Sequence, residues 1–99
     1  MLEIPRITEI AQEVFRRTLG STRVEDVQVG PRIDSLGNDG LLVRVIIRPS
    51  AVEELKRGQE VSVARFEFDQ RLDLEGEDRF PIVEYATREE LAEDGDAES

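Results

Sequence analysis

The chain has 99 residues, of which 38% are hydrophobic and 36% charged, and its 23 acidic and 13 basic residues give a net charge of −10. This length is typical of one domain, and the hydrophobic fraction is enough for one core. The sequence has no cysteine and no histidine. Disulfides, thiolate and histidine nucleophiles and the usual zinc ligands are therefore excluded.

The sequence favours a cytoplasmic protein without a membrane segment. Its apolar runs stay far below the ~20 residues of a membrane-spanning helix. The first residues include Glu3 and Glu9, where a secretory signal would be apolar. No glycine-rich phosphate-binding motif is present in the sequence, and we expect no cofactor.

Residues 5–19 predict an amphipathic helix, because apolar residues recur at intervals of three and four and form one stripe. The stripe consists of Ile7, Ile10, Ala11, Val14 and Phe15. Pro5 suits the first helical turn, and Gly20 suits the left-handed position after the last turn. Glu13 and Arg17 lie one turn apart and predict an ion pair on the outer face.

Residues 22–34 and 41–48 predict a β-hairpin. Pro31 cannot donate to a ladder, so the first strand should lie at an edge of the sheet. The second strand is apolar at alternate positions on one face and partly apolar on the other, which favours the centre of the sheet. The connecting sequence contains GNDG at 37–40. We interpret it as a hairpin turn rather than a nucleic-acid clamp or a calcium loop.

The next segment predicts a short helix. Ser50 and Glu53 have the spacing of a capping box, so the helix should begin at Ala51. Gly58 should weaken or end it.

Residues 59–75 fit either a helix or a strand. As a helix they place Val61, Ala64, Phe68 and Leu72 on one stripe, with a Glu67–Arg71 ion pair beside it. As a strand, residues 60–68 would be the fourth of the sheet, since their β propensity is high. We favour the helix, because a third strand parallel to its neighbour needs a long crossover.

The last predicted strand covers residues 80–86. Thr87 and Glu90 form a second capping box before a short helix at about 88–93. We expect a single α+β domain over 1–90 and an acidic, disordered tail over 91–99.

The predicted fold is therefore α+β with two layers, a mixed three-stranded sheet covered by helices on one face, in the order α-β-β-α-(α)-β-α. Over residues 5–86 this order resembles type II KH domains and small ribosome-associated KH-like factors. Segment 57–61 (RGQEV) has one glycine, where the KH loop has two. The resemblance implies an alternative function, a KH-like nucleic-acid-associated factor that lacks the signature loop.

If 59–75 is helical, Val63, Phe66 and Leu74 form a second apolar stripe nearly opposite the first. Exposed contiguous apolar patches usually mark interfaces. We therefore select Val63 and Phe66, together with Arg79 and Phe80 at the entry to the last strand, as candidate protein-binding residues.

The charge pattern favours a binding protein over an enzyme. Acids stand beside arginines at outward positions, which indicates a solvated charged face, with no catalytic residues and no metal site. An oxygen-ligated Mg²⁺ enzyme is the remaining catalytic hypothesis. A net charge of −10 opposes nucleic-acid binding. We expect a small, acidic, non-catalytic interaction protein: a homodimer, or a regulatory, antitoxin-like subunit whose protein partner is basic.

Overall fold

The computed structural model describes residues 1–98, and for 94–98 it describes the backbone alone. The elements are α1 (Ile4–Leu19), β1 (Val24–Ile33), β2 (Asp39–Ile47), a 3₁₀ turn (Pro49–Ala51), α2 (Val52–Arg57), α3 (Glu60–Leu74), β3 (Phe80–Ala86) and α4 (Arg88–Glu98). Their order confirms the predicted α+β fold. The expected disorder of 91–99 stays a prediction, since Ser99 and the side chains of 94–98 lie outside the described residues.

The three strands form one mixed sheet in the order β1-β2-β3. β1 pairs antiparallel with the central strand β2, and β3 pairs parallel with its other side. The α2–α3 pair supplies the crossover that the parallel connection requires. Pro31 lies on an edge strand and β2 at the centre, as the sequence predicted.

The core lies between the sheet and the helices α1 and α3. It contains the predicted stripe of α1 and the inward positions of β2, which are Leu41, Val43, Val45 and Ile47. Phe15 stands at its centre, with ring centroids 5.3 Å from Phe68 and 6.3 Å from Tyr85. Such tilted and edge-on aromatic pairs are favourable beyond the area they bury.

Two local features of the first half were predicted correctly. Gly20 follows α1 with φ 105°, a backbone angle that side chains disfavour. Glu13 and Arg17 form the expected ion pair at 3.8 Å.

The hairpin loop is closed by Asp34, whose carboxylate accepts backbone N–H groups of Leu36 and Asn38 at 2.9 Å each.

The strand alternative for residues 60–68 is wrong. Ala64, Phe68 and Leu72 are buried at intervals of four, so one helical stripe faces the core. Two ion pairs also join α3 to α1, Arg17–Glu67 at 2.7 Å and Arg71–Glu13 at 3.3 Å. They replace the predicted Glu67–Arg71 pair, because Glu67 reaches Arg17 of α1, and Arg71 pairs with Glu13 of α1 and with Glu75 at the end of α3.

The first predicted capping box is also wrong. Ser50 lies inside the 3₁₀ turn, and α2 begins after Ala51 with no side-chain cap. The second box is confirmed. The Thr87 hydroxyl accepts the Glu90 N–H and the Glu90 carboxylate accepts the Thr87 N–H, both at 3.2 Å. In the described part of the chain, no helix is long and apolar enough to cross a membrane.

Candidate functional site

A groove runs between α3 and the outer edge of β3. Three adjoining cavities of about 420, 460 and 490 Å³ form it. The first shares Val61 and Tyr85 with the second, and the second shares Arg65 and Phe66 with the third. We call this the α3–β3 groove, lined along its length by Val61, Ser62, Arg65, Phe66, Asp69, Phe80, Pro81, Val83 and Tyr85.

Several large apolar residues of α3 and the first residue of β3 are exposed. Val63, Phe66 and Leu74, the second stripe of α3, are 45%, 62% and 82% exposed, and Phe80 is 69% exposed. Phe66, Phe80 and Arg79 line the same cavity, and Val63 lies one turn before Phe66 outside it. The fold thus brings three of the four candidate binding residues together.

Arg65 connects the two walls of the groove. Its guanidinium carbon lies 5.8 Å from the centroid of the Phe80 ring, a cation–π distance. The same guanidinium donates to the Pro81 carbonyl at 2.9 Å and to the Asp69 carboxylate at 3.1 Å. These contacts hold Phe80 near α3, although the sequence did not point to Arg65.

Arg79 has a structural role as well as a place in the groove. Its side chain is mostly buried and donates to the Glu77 carboxylate through Nε at 2.9 Å and to the Leu2 carbonyl at 2.6 Å. The Glu77 carboxylate also accepts the Leu2 N–H at 2.7 Å. The hydrogen bonds from Arg79 lower the pKa of Glu77 from 4.5 to about 2. The Glu77 side chain is buried, contrary to the expectation that the acids are solvated.

Tyr85 lies at the groove wall with an unsatisfied hydroxyl. The hydroxyl oxygen is buried and has no hydrogen-bond partner among the described residues. Burial raises the pKa of this phenol to about 12. A buried polar atom without a partner is destabilising. The Tyr85 hydroxyl should therefore lower the stability of the folded protein.

The helix–helix connection at one end of the groove carries charges of both signs, since Lys56 and Arg57 precede Gly58 and Glu60 follows it. Gly58 ends α2, and the Glu60 carboxylate lies against it in the space that a Cβ would occupy. A KH-type loop receives a phosphate at this point. The carboxylate would repel that phosphate.

The end of the groove near Phe80 is acidic. The cavity near Phe80 is lined by two arginines, Arg65 and Arg79, and by the acids Asp69, Asp73, Glu77 and Asp78. Arg65 pairs with Asp69 and Arg79 with Glu77. Among the described residues, Asp73 and Asp78 have no basic partner within 4.0 Å. This end therefore attracts positive charge.

The site belongs to a two-layer α+β domain with an open groove at a strand edge. Within the described residues, no group of three or more potential metal-ligating side chains converges on a point. Comparison with known protein families, with curated proteins and with solved structures gives no match in any of the three.

Proposed function

We propose that the protein is a non-catalytic, cytoplasmic interaction protein that binds another polypeptide through the α3–β3 groove. The observation that carries this proposal is the exposure of Phe66 and Phe80 in one groove. Isolated exposed apolar residues are common, whereas contiguous ones beside a concave surface are typical of binding sites.

Aromatic residues support a protein partner in particular. Phe80 forms a cation–π pair with Arg65, and Phe66 lines the same cavity. Aromatic and arginine side chains are enriched at the centres of protein interfaces. The unpaired Asp73 and Asp78 at the Phe80 end of the groove then favour a partner with basic residues, because complementary charge speeds encounter and disfavours other partners. The nucleic-acid alternative has less support, since Glu60 lies at the loop where phosphate would bind.

The test compares three tagged proteins as baits in an extract of the source cells: wild type, Phe66→Glu and Leu36→Glu. Leu36 is the matched control, because it is an equally apolar and 84% exposed residue in the hairpin loop, away from the groove. Each variant should retain the wild-type circular dichroism, since both side chains are exposed.

The proposal expects a protein that wild type and Leu36→Glu both retain and that Phe66→Glu loses. Binding of that purified protein should then weaken about tenfold or more with Phe66→Glu in calorimetry. Light scattering of the three proteins shows whether the partner is a second copy. Equal retention by Phe66→Glu and wild type would contradict the proposal.

A further inference from the structure

The outer edge of β3 is an unpaired strand edge. β3 is the last strand of the sheet and pairs on one side only. In a parallel ladder, the N–H and C=O of one residue point to the same side, and successive residues alternate. The Phe80 carbonyl points towards Gly40 of β2, and the Pro81 carbonyl points away and accepts from Arg65.

This alternation shows which of the other backbone N–H and C=O groups of β3 point away from β2. Val83 and Tyr85 have the same parity as Pro81, so their N–H and C=O groups point away from β2. Among residues with described side chains, none hydrogen-bonds to either backbone. Pro81 and Arg65 protect one end of the edge, as prolines and charges commonly do. The rest of the edge offers two donors and two acceptors.

The free groups lie directly beside the groove. Val83 and Tyr85 line the middle cavity, opposite Phe66 and Val61 of α3. An extended segment added along β3 would satisfy the backbone groups and place every second side chain against this apolar wall. Strand addition thus uses both the unpaired edge and the exposed phenylalanines.

The charge of the groove favours a different chain over a second copy of this protein as the strand that pairs with β3. Two copies would bring together two acidic grooves, each with Asp73 and Asp78 unpaired, on molecules of net charge −10. Like charges at close range oppose that pairing. A segment carrying lysine or arginine would instead meet these carboxylates with the opposite charge.

We propose that β3 accepts, as a fourth strand, an extended segment of a basic partner whose groove-facing residues are apolar beside Val83 and Tyr85 and are lysine or arginine at the Phe80 end, near Asp73 and Asp78. This inference rests on the proposed function and specifies how the groove binds. It adds a backbone role for Val83 and Tyr85 to the side-chain role of Phe66.

The probe is a random peptide library selected on the intact chain. The selected peptides should have apolar residues at alternate positions with a lysine or arginine towards one end, and they should slow amide hydrogen exchange at Val83 and Tyr85. Val83→Pro removes the outward N–H and should weaken binding about tenfold or more. Val83→Ala is the matched control, since it shortens the same side chain and keeps the N–H. If Val83→Pro does not fold, amide hydrogen exchange at Val83 and Tyr85 of the wild type, with and without peptide, tests the proposal instead.

Three outcomes of the peptide selection would overturn the strand-addition proposal. They are no peptide enrichment, enrichment of acidic peptides, and binding that leaves exchange at Val83 and Tyr85 unchanged. A dimer of the free protein with both amides protected would also overturn it, because a second copy would then occupy the edge. If peptides bind and Phe66→Glu abolishes binding without protection of these amides, the proposed function stands and strand addition fails. If Phe66→Glu has no effect, the proposed function fails.

Discussion

The Glu77 carboxylate accepts three hydrogen bonds from Arg79, through the backbone N–H and two guanidinium nitrogens at 2.9 to 3.0 Å. Both residues also bond to the backbone of Leu2. The pair therefore fastens the start of the chain to the connection between α3 and β3. It also positions Phe80, the next residue and part of the groove.

This pair predicts a loss of stability in acid. Because the folded-state pKa of Glu77 is lowered from 4.5 to about 2, its contribution is fully present above about pH 4.5 and is lost as the pH falls towards 2. Glu77→Gln should lower the free energy of unfolding by roughly 1 to 3 kcal/mol near neutral pH. Urea denaturation should show a smaller difference from wild type near pH 3.

The control for this experiment is Glu9→Gln. The Glu9 side chain is 71% exposed and pairs only with Arg6 on the surface of α1. Such pairs contribute about 0 to 1 kcal/mol, so this variant should follow the wild-type curve. A Glu77→Gln effect of equal size at both pH values would contradict an electrostatic role for the carboxylate.

Tyr85→Phe should leave the free energy of unfolding unchanged or raise it by up to about 1 kcal/mol. The reason is that the hydroxyl is buried and without a partner among the described residues. Thermal denaturation measures the change. A loss above about 1 kcal/mol would show that the hydroxyl has a partner in solution.

The pKa of Tyr85 can be measured directly, because it is the only tyrosine in the sequence. Burial should keep the phenol protonated until about pH 12 while the protein stays folded. Phenolate absorbance reports ionisation, and circular dichroism on the same samples reports folding. Half-ionisation near pH 10 in the folded protein would contradict the burial of this group.

Two phenylalanines of α3 provide a test of the helix orientation. Phe68 is wholly buried and Phe66 is 62% exposed. Phe68→Ala should lower the free energy of unfolding by about 3 to 5 kcal/mol, whereas Phe66→Ala should change it by about 0.5 kcal/mol or less. Denaturant titration distinguishes the two. Similar losses for both would mean that Phe66 belongs to the core.

Gly20 provides a backbone test. Its φ of 105° disfavours a side chain, although a Cβ would meet only ordinary contacts with Arg23 at 3.7 Å. Gly20→Ala should therefore destabilise the protein by about 1 to 2 kcal/mol through strain alone. Gly30→Ala is the control, since Gly30 lies in β1 with open space around it. A Gly20→Ala protein as stable as the control would contradict the left-handed end of α1.

Patterns of short range in the sequence were reliable predictors. The stripe of α1, the central position of β2 and the Thr87–Glu90 box each depend on neighbours within one or two turns or on strict alternation. Ser50 shows where such reasoning failed. The 3₁₀ turn after Pro49 shifts the start of α2, so the hydroxyl no longer caps it.

The site was predictable only in part. Phe66 and Phe80 were found because an apolar residue on an outward face is visible in the sequence. Arg65 and Glu77 were missed, since their partners Phe80, Pro81 and Leu2 are far away along the chain.

The sequence by itself determined the α+β class and the order of the elements outside residues 59–75, because hydrophobic periodicity and turn residues act locally. Only the tertiary structure decided between helix and strand for 59–75, since packing of Phe68 against Phe15 favours the helix. It also decided which acids are buried and that Val83 and Tyr85 lie on an unpaired strand edge beside the groove. Both properties depend on contacts between distant segments, and no local pattern encodes them.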